Sequence, residues 1–289
     1  MLANPKEILD DAEKNNYAIA GINATTLEGI QAVIEAAEEV GAPVMLSHAQ
    51  SHEAFAPIDL FGPLMVRFAD KAKVPVIIHL DHGTDINYVM KAVRNGFTSI
   101  MYDCSSLPFE QNVEEVKKFV DIAHSMGIIV EAEVGRMPSN IEGIGGCTEF
   151  GVGIDNIEQY YTVPKEAKEF YEKTKVDMLT ISFGTVHGFF VEKPVLDIEL
   201  VKKIHSLIPE VGLVMHGTTG VDEIQIKSAI NAGIRKFNYF TGVATSPNES
   251  IESQIVNSKV PIYYHEIAAN AKKIMKERAK HIIEVFQNK

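Results

Sequence analysis

The 289-residue chain has no tryptophan and only two cysteines, Cys104 and Cys147. One pair in a chain of this length is no disulfide framework, and no Cys-x-x-Cys spacing marks a thiol-metal or redox site. Long apolar runs are missing too: none approaches the roughly 18 residues that a membrane-crossing helix needs. Met1 to Asp10 holds no cationic stretch leading into an apolar core, so no secretory leader is read there and a cytoplasmic location is expected. Positive charge is in short supply. Lys and Arg number 27 against 39 Asp and Glu, a formal net charge of −12. That balance argues against a nucleic-acid or anionic-membrane partner, while a locally positive pocket for a small anion stays open. What is present is ordinary globular composition, 46% hydrophobic and 23% charged, with no low-complexity linker, so one domain over 1–289 is expected.

Short apolar runs alternate with longer amphipathic segments. The runs are Ala18–Asn23, Pro43–His48, Val74–Asp81, Thr98–Asp103, Ile128–Gly135, Val176–Ser182, Gly212–His216 and Ile234–Thr241. Each is too short for a helix and suits a strand buried on both faces. Between them Leu27–Val40, Asn112–Met126, Lys165–Thr174, Asp197–Leu207 and Val221–Ala232 carry helical spacing, and Gly41, Gly96, Gly127 and Gly233 supply stops. This βα alternation, with eight strands, predicts a closed parallel (β/α)8 TIM barrel. The open doubly wound alternative wants a glycine fingerprint after the first strand, and Ala20-Gly21-Ile22-Asn23-Ala24 has none. After Ser246-Pro247-Asn248-Glu249 the pattern changes, and Tyr264–Phe286 reads as one long extra helix packed on the barrel or on another subunit.

Barrel chemistry sits where strands end. Those ends, or the first residues beyond them, carry Asn23, His48, Asp81 with His82, Asp103, Glu133, His187, His216 and Asn238. His82, His187 and His216 each precede a glycine, and three imidazoles around one open position make a catalytic zinc site, with Glu133 a further or alternative ligand. The plain alternative is three unrelated loop histidines. Asp81, next to His82, is either a proton shuttle beside the metal or a carboxylate that orients an imidazole. Asp103 has two readings as well, on a substrate hydroxyl or on a ligand histidine. His216-Gly217-Thr218-Thr219-Gly220 leads into a helix, an anion cradle or a capping turn, with Asn238 close by. Lys236 lies on the same strand face as Asn238 but one layer deeper, a place for charge balance rather than for a reactive imine.

Together these residues resemble the class II, metal-dependent ketose-bisphosphate aldolases, the fructose- and tagatose-bisphosphate aldolase family. The resemblance rests on Leu27-Glu28-Gly29-Ile30-Gln31-Ala32, His79-Leu80-Asp81-His82-Gly83, Met101-Tyr102-Asp103 with Leu107-Pro108-Phe109-Glu110, and Glu131-Ala132-Glu133-Val134-Gly135-Arg136. It continues through Gly184-Thr185-Val186-His187-Gly188, His216-Gly217-Thr218-Thr219-Gly220 and Gly233 to Thr241. It implies zinc on His82, His187 and His216, with Glu133 near an alternative metal position. It implies Asp81 as the proton donor to the aldehyde-derived oxygen, and a loop carboxylate whose counterpart here is Glu142. Gly188, Gly217, Thr218, Thr219, Asn238 and Thr241 would receive the ketone half and its phosphate, Asn23 and Asp103 would complete the substrate site, and a monovalent cation often lies nearby. The implied activity is cleavage or formation of a phosphorylated ketose through a metal-stabilised enediolate, giving dihydroxyacetone phosphate and an aldehyde, in a homodimer or homotetramer.

Several segments depart from the family pattern. Asn23-Ala24-Thr25-Thr26 replaces Asn-x-Asn-Asn, and His48-Ala49-Gln50-Ser51-His52 stands where a serine and glycines are usual. The loop Met137 to Gly146 is longer and less acidic, and Phe189-Phe190 and Tyr239-Phe240 bring in aromatics. The metal half is therefore expected intact and the substrate-facing half altered, which leaves a mono-phosphorylated ketose, or a sugar-phosphate-binding protein without catalysis, as the alternatives. A zinc hydrolase barrel would want His-x-His closing the first strand, and Ile22-Asn23-Ala24 lacks it.

Overall fold

The computed structural model describes residues 1–135, 157–186 and 193–288. Strands β1 (Ile19–Asn23), β2 (Val44–Ala49), β3 (Val76–Gly83), β4 (Ser99–Tyr102), β5 (Ile129–Val134), β6 (Met178–Ile181), β7 (Gly212–Met215) and β8 (Ile234–Tyr239) run parallel in chain order, and β8 closes on β1. Helix α1 (Pro5–Asn15) precedes the barrel. Helices α2 (Leu27–Val40), α3 (Ile58–Lys71), α4 (Ile86–Arg94), α5 (Phe109–Ser125), α6 (Pro164–Thr174), α7 (Ile198–Leu207) and α8 (Glu223–Ala232) follow β1 to β7 in turn. After β8 come α9 (Thr241–Ala244), α10 (Asn248–Asn257) and α11 (Tyr264–Phe286). The architecture is the expected (β/α)8 barrel with additional C-terminal helices. No described helix is long and apolar enough to cross a membrane.

Local chemistry sets the helix starts. Thr26 accepts the Gly29 N–H at 3.0 Å and opens α2. Asp197 and Asp222, which helical spacing places inside their helices, are N-caps instead, each accepting a backbone N–H at 2.9 Å. A side-chain oxygen at that position satisfies a donor that has no partner within the helix.

The barrel interior is layered because strand side chains alternate between faces. Residues facing the helices, such as Leu46, Ile78, Ile100, Leu179 and Phe237, build the outer core. Inside, the base is apolar: Ile19, Met45, Ile77, Ile129, Met178 and Val214, stoppered by Leu9 and Ala12 of α1. One layer up, Ser47, His79, Ser99, Glu131, Thr180 and Lys236 are polar and fully buried. The top layer is the mouth. At the far end of the chain, α11 straps onto α2 through Lys272–Glu35 (2.8 Å) and Lys276–Glu39 (2.7 Å), while Phe286 stacks on Phe237 at 4.6 Å.

Candidate active site and metal centre

Strand alternation would send Asp81 and His82 to opposite faces. A bulge prevents this. β3 pairs with β4 as Leu80↔Ile100 and then Gly83↔Tyr102, so β3 carries one extra residue there. His82 takes up the excess in the left-handed region, at φ 47°. That conformation is uncommon for a residue with a Cβ and recurs at functional sites. Both side chains therefore reach the mouth.

The Asp81 carboxylate is clamped by two amides: Asn23 Nδ2 donates to one oxygen at 2.8 Å and Asn238 Nδ2 to the other at 2.7 Å. Burial works against its charge, but His82, His216 and Lys236 prevail and hold it far below the usual carboxylate range. His82 donates from Nδ1 to Asp103 at 2.7 Å, and its Nε2 lies 2.9 Å from His216 Nδ1. His216 is itself bound through Nε2 to Glu131, at 3.0 Å. Each imidazole thus spends its N–H on a carboxylate, and their lone pairs converge on one point. Such a contact needs a cation. Burial alone would depress His82, yet the carboxylates of Asp81, Asp103 and Glu133 raise it to about 10. His216, with burial dominant, is lowered.

Two overlapping donor groups emerge, Asp81–His82–His216 and His82–Asp103–Glu133, with the ligand atoms of each within 4.8 Å of one another. Nitrogen and carboxylate donors, two of the imidazoles fixed by carboxylates behind them, fit a divalent ion of the zinc type. His187, Gly188 and Glu142 lie outside the described residues. Asp103 has both oxygens engaged, one on His82 at 2.7 Å and one accepting the Ser105 N–H at 3.0 Å.

The turn after β7 is held by close approach. A side chain at Gly217, at φ 68°, would put its Cβ 2.3 Å from the Val186 carbonyl oxygen. Thr219 Oγ1 accepts the Gly242 N–H at 3.1 Å, joining this turn to Thr241 and the start of α9. The cap of α8 is Asp222, a negative group that leaves that helix terminus unsuited to an anion, so any anion here must use the turn itself. Asn23 Oδ1, Asn238 Oδ1 and Thr218 Oγ1 are buried without a hydrogen-bond partner among the described residues. Buried polar atoms of this kind call for a ligand or water.

Sequence reasoning gave Glu131 no role. Its position two residues before Glu133, on the same strand face, was the available signal. His48 closes a strand as read, but it faces outward and bonds Tyr88 at 3.0 Å. Lys236 lies in the layer below Asn238 and pairs with Glu131 at 2.5 Å.

Residues 3–289 match the family Fructose-bisphosphate aldolase class-II. The chain is 35% identical to the Escherichia coli K12 protein YdjI over 99% of this chain and 98% of that one. It superposes on the crystal structure of the YdjI aldolase with a TM-score of 0.86, at 33% identity, covering 99% and 97% of the two chains. A Coccidioides immitis protein assigned as a fructose-1,6-biphosphate aldolase gives a TM-score of 0.83 at 26% identity over 98% and 95%. Campylobacter jejuni fructose-bisphosphate aldolase, 22% identical with a TM-score of 0.76 over 99% and 95%, shares the fold. With the whole chain matched and its paired imidazoles and amide-clamped aspartate meeting at the barrel mouth, the protein belongs to the class II fructose-bisphosphate aldolase family, a family of lyases.

Proposed function

We propose that the protein is a zinc-dependent aldolase that cleaves or forms a phosphorylated ketose, with dihydroxyacetone phosphate and an aldehyde as the other partners. The observation that carries this reading is the convergence of His82 Nε2 and His216 Nδ1 beside Asp81. His187 is the proposed third nitrogen ligand, and Glu133 the alternative carboxylate. A divalent cation bound there supplies Lewis acidity, polarising the ketose carbonyl and offsetting the negative charge left when the carbon–carbon bond breaks. The chain's own residues do the rest. Ionised Asp81, oriented by Asn23 and Asn238, accepts the proton of the hydroxyl whose carbon becomes the aldehyde, and returns it in the condensation direction. The Gly217–Thr219 turn and the Asn238–Thr241 segment, with Gly188, receive the ketone half and its phosphate, a monovalent cation being part of the same expectation. Glu142 is the proposed loop carboxylate.

One observation favours a ketose with a single phosphate. The segments after β1, β2, β3, β4, β7 and β8 contain no lysine or arginine. In sequence, the first basic residues after β5 and β6 are Arg136 and Lys193. On the side of β2 and β8, the buried His52 packs its ring 4.8 Å from Phe240, a wall of rings rather than cations for the aldehyde half.

The test is a substrate panel of fructose 1,6-bisphosphate, tagatose 1,6-bisphosphate and mono-phosphorylated ketoses, assayed with and without zinc. Zinc-dependent cleavage is expected, with the mono-phosphorylated compounds preferred. Zinc-loaded protein that turns over none of them would reduce the role to sugar-phosphate binding. A dimer or tetramer belongs to the same reading. Exposed Val256, Val260, Tyr263 and Tyr264 offer an apolar face to a second copy, and sedimentation velocity checks it.

A further inference from the structure

Below the mouth, three ionisable side chains sit in the barrel interior with no exposure to solvent: His79, Glu131 and Lys236. Glu131 Oε2 receives the Lys236 ammonium at 2.5 Å. Its other oxygen receives His216 Nε2 at 3.0 Å and the Thr180 hydroxyl at 2.8 Å. Lys236 also donates to His79 Nε2 at 3.1 Å, and His79 Nδ1 bonds the Ser99 hydroxyl at 2.8 Å. Gly21, on the adjacent strand β1, leaves the space this crossing needs, since a Cβ there would stand 3.0 Å from Lys236 Cε.

A buried ion pair of this kind is weak support for stability, because desolvation of both charges offsets their attraction. Well-packed apolar residues would fill the layer as well, as they do one layer down. The bond to His216 gives the pair another use. A carboxylate accepts hydrogen bonds and donates none, so His216 must carry its proton on Nε2 when Glu131 is ionised. Its Nδ1 is then the lone pair, and Nδ1 is the atom that meets His82. Lys236, 2.5 Å from the other Glu131 oxygen, aims that carboxylate in a layer that has no exposure to solvent.

We propose that Glu131 and Lys236 act as a positioning pair that sets the tautomer and ring orientation of His216, presenting Nδ1 to the metal. Lys236 thereby serves through Glu131 and not as an amine nucleophile. The inference rests on the zinc reading above, and the test separates the two. Zinc affinity is measured by chelator competition for wild type, Glu131→Gln, Lys236→Met and the double variant, with unfolding curves for each and visible spectra of the cobalt-substituted forms. Wild type that binds no zinc defeats the metal reading itself. Given wild-type binding, Glu131→Gln is expected to weaken zinc about 10–100-fold, the range for lost partners behind a ligand histidine. The double variant, which removes both charges, is expected to regain stability over Lys236→Met without regaining that affinity. A folded double variant that binds zinc like wild type overturns the proposal. A readout free of any substitution is the long-range imidazole nitrogen NMR spectrum of the zinc-loaded wild type. His216 bound through Nδ1 with a protonated Nε2 supports the pair's role, and ligation through Nε2 refutes it.

Discussion

The base and the mouth of this barrel are built by the same eight strands yet obey different rules. At the base, Met45, Ile77 and Val214 fill space, and any apolar group of the right volume would serve. At the mouth, Asn23, Asp81, His82, His216 and Asn238 are held by directed bonds between 2.7 and 2.9 Å, with a bulge and a left-handed residue spent on aiming two of them. The contrast teaches that stability and chemistry are separated along the barrel axis, with the polar layer of His79, Glu131 and Lys236 as the boundary.

The comparison breaks most visibly at the mouth. His216→Ala is expected to abolish zinc retention through dialysis, read by metal analysis. Asp81→Ala is expected to keep the zinc and lose cleavage by about 10²–10⁴-fold, the range for a positioned acid–base group. Equal metal loss in both would make Asp81 a support for the ligands instead. At the base, Ile77→Ala is expected to cost about 2–5 kcal/mol in urea denaturation. The folded fraction should still bind one equivalent of metal; a variant that loses zinc first would erase the separation of layers.

A comparable effect on the whole fold comes from acid. Burial pushes His48 down to about 4, and burial with the Lys236 ammonium pushes His79 down to about 3. Between pH 6.5 and 4.5 the unfolded chain takes up these protons while the native state does not, so stability falls with pH. The slope is about 1.4 kcal/mol per unit for each histidine. Burial lowers His52 and His216 as well, which adds to the same trend. Urea midpoints across that window check it, and His48→Gln is expected to flatten the dependence.

Much of the barrel was legible because its strands are apolar on both faces and its glycines mark helix ends. Tyr264–Phe286 matched the long C-terminal helix from end to end. Five helices, α1, α3, α4, α9 and α10, escaped singling out by spacing. α1 offers only Pro5, Leu9 and Ala12 to the interior, α3 is interrupted by Pro63, and α4 is nine residues long. Register arithmetic placed Lys236 one layer below Asn238, and the same arithmetic applied to Glu131 would have found its partner. The bulge was invisible, because a period of two says that neighbours such as Asp81 and His82 diverge. The amide clamp on Asp81 joins β1, β3 and β8, a closure that no local pattern announces.

Gly21 links these regions in a way its own chemistry hides. The space it leaves is bordered by Lys236 Cε and by the Asn238 side-chain oxygen, each 3.0 Å from where a methyl group would stand. Alanine at that position would press at once on the cross-barrel lysine and on the amide that holds Asp81. On the proposed mechanism, Gly21→Ala is expected to weaken metal binding and proton transfer together, through a residue that would touch neither ion nor sugar.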